Sequence, residues 1–152
     1  MALSVQSYKG VVGFGVDTVT GERGFVQKML NKTGGATVKG SVVCPSDATD
    51  NSFVLQEDEL CAFGVVAEAG VADGSSAWIW VNGSVCQVLW KDGETSTRDY
   101  VALCADTDGR AYNVAVPSAN PVVAEHFKEI GHVLETKGSG TDVLVLCHLH
   151  FN

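Results

Sequence analysis

The sequence predicts an all-β chain: a compact β-sandwich or barrel-like domain of short antiparallel strands, with at most one short helix. Three observations predict it. Runs rich in β-branched and aromatic residues recur along the chain. Turn signals built around many of the 17 glycines separate these runs at short intervals. Hydrophobic residues make up 45% of the 152 positions and charged residues 18%, enough apolar content for one core and too much for a disordered chain.

The elements follow in order. Residues 1–30 differ from the rest: "YKGVVGFGVDTVTGERGFVQKML" reads either as a hairpin turning at "TGERG" or as an arm ordered on a neighbouring subunit. Residues 31–152 form the β-rich domain. Its strands are expected at Ala36–Val43, Leu60–Glu68, Ser76–Asn82, Val85–Trp90, Asp99–Cys104 and Asp142–Phe151. Turns fall at "NKTGG", "SDATDNS", "ADGSS", "NGS", "KDGE", "DTDGR" and "KGSGTD". Asn120–Gly131 has Asn before Pro and a closing Gly, so it reads as a short helix or an extended connection. No tandem repeat is visible.

Charge narrows the function. A net charge of −8 with ten scattered basic residues argues against nucleic acid and against an anionic membrane surface. The start of the chain lacks the pattern of a signal peptide, and no apolar run reaches membrane-spanning length, so synthesis in the cytoplasm is expected. The five cysteines, Cys44, Cys61, Cys86, Cys104 and Cys147, show no zinc-knuckle or redox spacing. They are expected to be small buried hydrophobes, not disulfide partners.

The search for chemistry finds little. His126, His132, His148 and His150 all lie near the end of the chain, and no nucleophile-elbow motif accompanies them. "CHLH" places His148 and His150 on one strand face, a spacing that can chelate a metal. Alternation alone places both outward, with Cys147 and Leu149 inward, and this is the expectation adopted. "GVVGFG" lacks the dinucleotide-fingerprint spacing. No catalytic, cofactor-binding or metal-binding residue is assigned, and the chain is expected not to be an enzyme.

The order of the turns carries a resemblance. "NKTGGATVKGSVV", "FGVVAEAGVADGSSAWIWVNGSV", "DYVALCADTDGRAYNVAVPSANP" and "IGHVLETKGSGTDVLVLCHLHFN" resemble, in sequence order, a β-module of tailed-bacteriophage virion proteins. Such modules occur in capsid decoration (cement) proteins, head fibres and tail-fibre shoulder domains. The resemblance spans Asn31–Asn152. It implies a structural protein of the virion that binds the outer surface of the major capsid protein lattice as a homotrimer and stabilises the head. The alternative is a fibre or receptor-binding module contacting a host glycan or protein. A small hydrolase with a triad assembled in space is the remaining reading.

Interface residues are expected in two places. Tyr8, Val11, Val12 and Phe14 belong to the N-terminal segment, expected to reach the capsid or a neighbouring subunit. Trp78 and Trp80 share one strand face while Ala77, Ile79 and Val81 share the other, so this strand is expected to be covered on both sides. One cover is the domain's own core and the other a subunit neighbour, with a glycan platform as the alternative.

Overall fold

The computed structural model describes residues 3–57, 61–105, 108–115 and 123–151. It is all-β, with twelve strands and one short helix among the described residues. The strands are β1 (Leu3–Tyr8), β2 (Val12–Asp17), β3 (Arg23–Asn31), β4 (Val42–Pro45), β5 (Ser52–Leu55), β6 (Gly64–Val66) and β7 (Ser76–Trp80). They continue as β8 (Val85–Leu89), β9 (Val101–Cys104), β10 (Ala111–Val114), β11 (Glu129–Val133) and β12 (Leu144–Leu149). The helix α1 (Val123–Lys128) runs directly into β11.

The pairings resolve into two closed rings. β3 pairs with β5, β5 with β4, β4 with β6, β6 with β7, and β7 returns to β3. β8 pairs with β12, β12 with β11, β11 with β9 and β9 with β10. A bridge from Trp90 to Ala111 closes the second ring. All strand pairs are antiparallel except β3–β5, and the Trp90–Ala111 bridge is parallel too. The two rings therefore have the same topology, each closing on one parallel contact.

The match extends to register. Val42 and Val43 face Val65 and Gly64, as Val101 and Ala102 face His132 and Gly131. Ile79 opposes Gln27 and Val66, as Cys147 opposes Cys86 and Val133. The Thr37 hydroxyl donates to the Glu68 carbonyl, as the Ser96 hydroxyl donates to the Glu135 carbonyl. The Glu68 carboxylate accepts from the Trp78 amide, as the Glu135 carboxylate accepts from the Leu146 amide. Left-handed residues recur at matching turns: Gly34 with Gly93, Gly40 with Asp99, Asn51 with Gly109, and Gly74 with Asp142. The absence of a tandem repeat, read from the sequence, is thus corrected. The chain therefore holds two structural copies of one strand arrangement that share little sequence.

The interior of the first ring holds Met29, Val43, Phe53, Val66, Ala77 and Ile79. Their register equivalents in the second ring are Val88, Ala102, Ala111, Val133, Val145 and Cys147, all buried in one cluster. That cluster also takes in Val26, Val42, Val65, Ala67 and Trp80, which alternate outward from the first ring. One continuous apolar layer therefore joins the two rings, which suits a single cooperative unit.

β1 and β2 form a hairpin on the near edge of β3, from Leu3↔Asp17 to Tyr8↔Val12. β3 belongs to both the hairpin and the first ring, so the division expected at residue 30 falls inside a strand. On β8 the corresponding edge meets β3 at a single register pair, Val85↔Arg23, and carries no hairpin among the described residues. The Gln87 amide instead donates to the Glu22 carboxylate, and the Leu89 amide to the Gly40 carbonyl. Buried backbone amides need such partners. Glu22, 1% exposed, is matched by Lys39, which also lies 3.5 Å from buried Asp17.

Burial pushes the Asp17 carboxyl up, but the Thr20 and Val19 amides and the Lys39 ammonium outweigh it and hold it below its usual value of 3.8. A carboxyl lowered on folding stabilises the fold above its unfolded pKa, and that contribution disappears as pH falls through its folded value. Stability at fixed urea is therefore expected to hold near neutrality and to fall below about pH 4. Asp17→Asn should flatten that decline in an acid titration followed by circular dichroism.

Other expectations change. Cys44 and Cys61 form a disulfide, with Cα atoms 5.3 Å apart, because antiparallel β4 and β6 bring the lead-in to β6 alongside Cys44. The reading of all five cysteines as unpaired is therefore corrected for these two, while Cys86, Cys104 and Cys147 form no disulfide and are buried. The short helix is present at Val123–Lys128. Its expected start at Asn120 and Pro121 lies outside the described residues. Gly131, expected to end the helix, sits inside β11.

Candidate functional site

The hairpin turns one face to the body and one to solvent. On the inner face, Leu3 and Val5 pack against the apolar layer, and Gly15 lies directly on the indole of Trp80. A Cβ at Gly15 would sit 3.0 Å from Cη2 and Cζ3 of that ring, so glycine is what lets the ribbon approach. On the outer face, Tyr8 opposes Val12, and Phe14 opposes Phe25 of β3. The two phenyl rings meet edge to face with centroids 5.9 Å apart.

This outer face is exposed: Tyr8 is 69% accessible, Phe25 58%, and Val12 and Phe14 46% each. Val11, 45% accessible, extends it at the hairpin turn. A shallow groove of about 440 Å³ runs between Tyr8, Val12, Phe14, Phe25 and Val81, with Gln6 and Gln27 as its polar edge. Among the described pairings, β1 has β2 as its only partner, which leaves its other edge open to a further strand.

Four of the six expected interface residues, Tyr8, Val11, Val12 and Phe14, thus lie together on one exposed surface. The two tryptophans do not join them. Trp80 is 1% exposed, covered by the chain's own hairpin and not by a neighbour, so its second cover is intramolecular. Trp78 is half-buried, with the Lys28 ammonium 5.3 Å from its ring centroid. Ala77 and Ile79 face the ring interior, as alternation requires. Phe25 was missed because "RGFVQKMLN" carries Gln, Lys and Met where a strand signal would need β-branched residues.

Nucleophiles are poorly placed. Burial, then the neighbouring Cys147, pushes the Cys86 thiol up. Burial, then Glu135, does the same to Cys147. Neither supplies a thiolate near neutrality. Three buried serine hydroxyls serve the backbone, Ser52 donating to Thr49, Ser84 to Phe25 and Ser96 to Glu135.

The C-terminal histidines are arranged more specifically than alternation suggested. Cys147 and Leu149 point inward and His148 outward, as expected. His150, however, is half-buried, with its ring centroid 4.6 Å from that of His132. Burial lowers the His150 pKa; the Glu129 carboxylate opposes this, and His132 and His148 add to it. No family model matches the chain, and no curated protein is similar to it.

Proposed function

We propose that the protein is a non-enzymatic capsid decoration (cement) protein. It binds the outer surface of a major capsid protein lattice through the exposed hairpin face and braces the head. The observation that carries the reading is the contiguous apolar surface of Tyr8, Val12, Phe14 and Phe25 beside an open strand edge. Contiguous exposed apolar surface on a small domain marks a place where another molecule sits. The hairpin is held by Trp80 and the inner-face residues, so its outer face is presented rigidly, which lowers the entropy lost on binding.

The net charge of −8 suits the outside of a shell and is unfavourable beside packaged DNA. A homotrimer around a local threefold position lets one modest contact be repeated, and repetition supplies the affinity. The fibre or receptor-binding alternative drew on Trp78 and Trp80 as a glycan platform. With Trp80 buried and Trp78 half-buried beside Lys28, these two indoles offer such a platform less support than the hairpin face offers a protein partner.

The test is co-sedimentation with undecorated, expanded capsids of the source virus. Wild type should bind saturably, and the double substitution Val12→Thr, Phe14→Ser should weaken binding by about 10–100-fold, as loss of two anchor residues does. Both positions are exposed, so the melting temperature should stay within about 2 °C. Equal binding by the variant would place the contact elsewhere, and no binding by wild type would remove the decoration reading.

A further inference from the structure

The chain has four histidines, and all four gather at one place on the outer side of the second ring. Their centre is Glu129. Its Oε1 lies 3.2 Å from His150 Nε2, and its Oε2 lies 3.9 Å from His126 Nδ1. His132 and His148 are direct cross-strand partners on β11 and β12. His150, two residues on from His148, shares their face.

A β-bulge makes this assembly. In a regular strand Glu129 and His132, three apart, would point to opposite faces. Glu129 opposes Leu103 and Gly131 opposes the adjacent Ala102, so Ile130 is an extra residue without a partner. The insertion returns Glu129 to the face of His132. One ligand-type atom each from Glu129, His132 and His150 then lies within 4.8 Å of the others. His150 Nε2 is shut off from solvent and makes no well-aligned hydrogen bond despite its closeness to Oε1. An approach of that length without a hydrogen bond is the separation of two ligands on a common tetrahedral ion, about 3.3 Å for a zinc ion bound by nitrogen and oxygen.

The two copies supply a comparison within the molecule. The positions of Glu129, His132, His148 and His150 correspond in the first copy to Ala62, Val65, Trp80 and Asn82. There Ala62, Val65 and Trp80 are apolar and belong to the layer between the rings, with Gly15 of the hairpin lying on Trp80. In the second copy the same positions carry imidazoles and a carboxylate. A surface released from packing needs only polarity; it does not need a metal-ligand side chain at all four positions.

We propose that Glu129, His132 and His150 bind one divalent transition-metal ion, with Zn²⁺ the fitting ion and a fourth position within reach of His148. Two imidazoles and a carboxylate suit a borderline ion of this kind. The ion clamps the α1–β11 junction to the C-terminal strand, so it acts as a staple of the second ring.

The test is calorimetric titration of untagged, metal-stripped, full-length protein with zinc chloride. One zinc per chain should bind with a dissociation constant in the micromolar range or tighter. A hundredfold excess over that constant should raise the melting temperature by about 5–10 °C. His132→Ala and His150→Ala should each weaken binding at least about 10-fold, with the zinc-free melting temperature unchanged. Wild-type protein loaded with cobalt(II) gives a readout that does not depend on variants folding. Visible bands of a tetrahedral nitrogen–oxygen site are expected, without thiolate charge transfer. Absence of saturable uptake at about 100 μM zinc, full affinity in both variants, or a thiolate band would each overturn the site.

Discussion

Gly131→Ala is expected to cost more than about 4 kcal/mol, enough to leave a domain of this size with little residual stability. Gly131 has φ +153°, a region that side chains avoid, and a Cβ there would lie 2.0 Å from the His148 carbonyl oxygen. That oxygen is backbone held in the β11–β12 ladder, so it cannot move aside without breaking the pairing. Gly64, the register equivalent in the first copy, should respond in the same direction and less severely. Its Cβ would meet Ile79 Cγ2 at 2.4 Å and the Trp80 carbonyl oxygen at 2.8 Å, and its φ is not in the left-handed region. Gly138→Ala meets nothing within 4 Å and should be neutral. Urea midpoints of the three variants decide the matter. A Gly131→Ala protein within about 1 kcal/mol of wild type would contradict the described register of β11 on β12.

These glycines show what the sequence could and could not reveal. Strands dense in apolar residues, such as β7 and β12, were legible because composition and the bounding turns agree in them. β2 and β3 were legible as the hairpin turning at "TGERG", one of the two readings of residues 1–30, whereas Phe53–Leu55 of β5, a short run after a polar turn, was assigned no element. The two-copy arrangement was illegible because packing constrains summed volume more tightly than residue identity. Where Asn31 meets Phe53 across the parallel closure of the first ring, Trp90 meets Ala111 in the second. Small-with-large has become large-with-small, so the volume survives and the sequence match does not. Identity persists chiefly where backbone geometry or a specific hydrogen bond demands it, as at Gly34 and Gly93, Gly64 and Gly131, and Glu68 and Glu135.

The candidate surface was half legible for a related reason. Tyr8, Val11, Val12 and Phe14 stood out as apolar residues in a segment with no core pattern of its own. Trp80 misled because an indole on an outward strand face reads alike whether a neighbour or the same chain covers it. Glu129 and His132 could not be joined in sequence, since the bulge that aligns them reverses the parity on which strand reading depends.

Trp80→Ala separates the support of the hairpin from its display. Trp80 is among the largest fully buried side chains and lies between the first ring and the hairpin, with Gly15 against its six-membered ring. Truncation removes that contact and opens a cavity, for an expected loss of about 3–5 kcal/mol and a melting temperature lower by roughly 10–15 °C. Trp80→Phe should cost distinctly less, because it leaves a smaller void and removes an indole N–H that is buried without a partner. The loss in Trp80→Ala should be local in origin. Amides of β1 and β2 should exchange faster under native conditions, while those of β8 and β12 keep their protection relative to global stability. Partner binding should weaken as well, through release of the hairpin and not through any contact of Trp80 itself. Phe14→Ser is the converse case, with binding lost and exchange unchanged. Should Trp80→Ala keep both its melting temperature and its hairpin protection, the hairpin is anchored by something other than this indole, and its outer face is not held rigid from within.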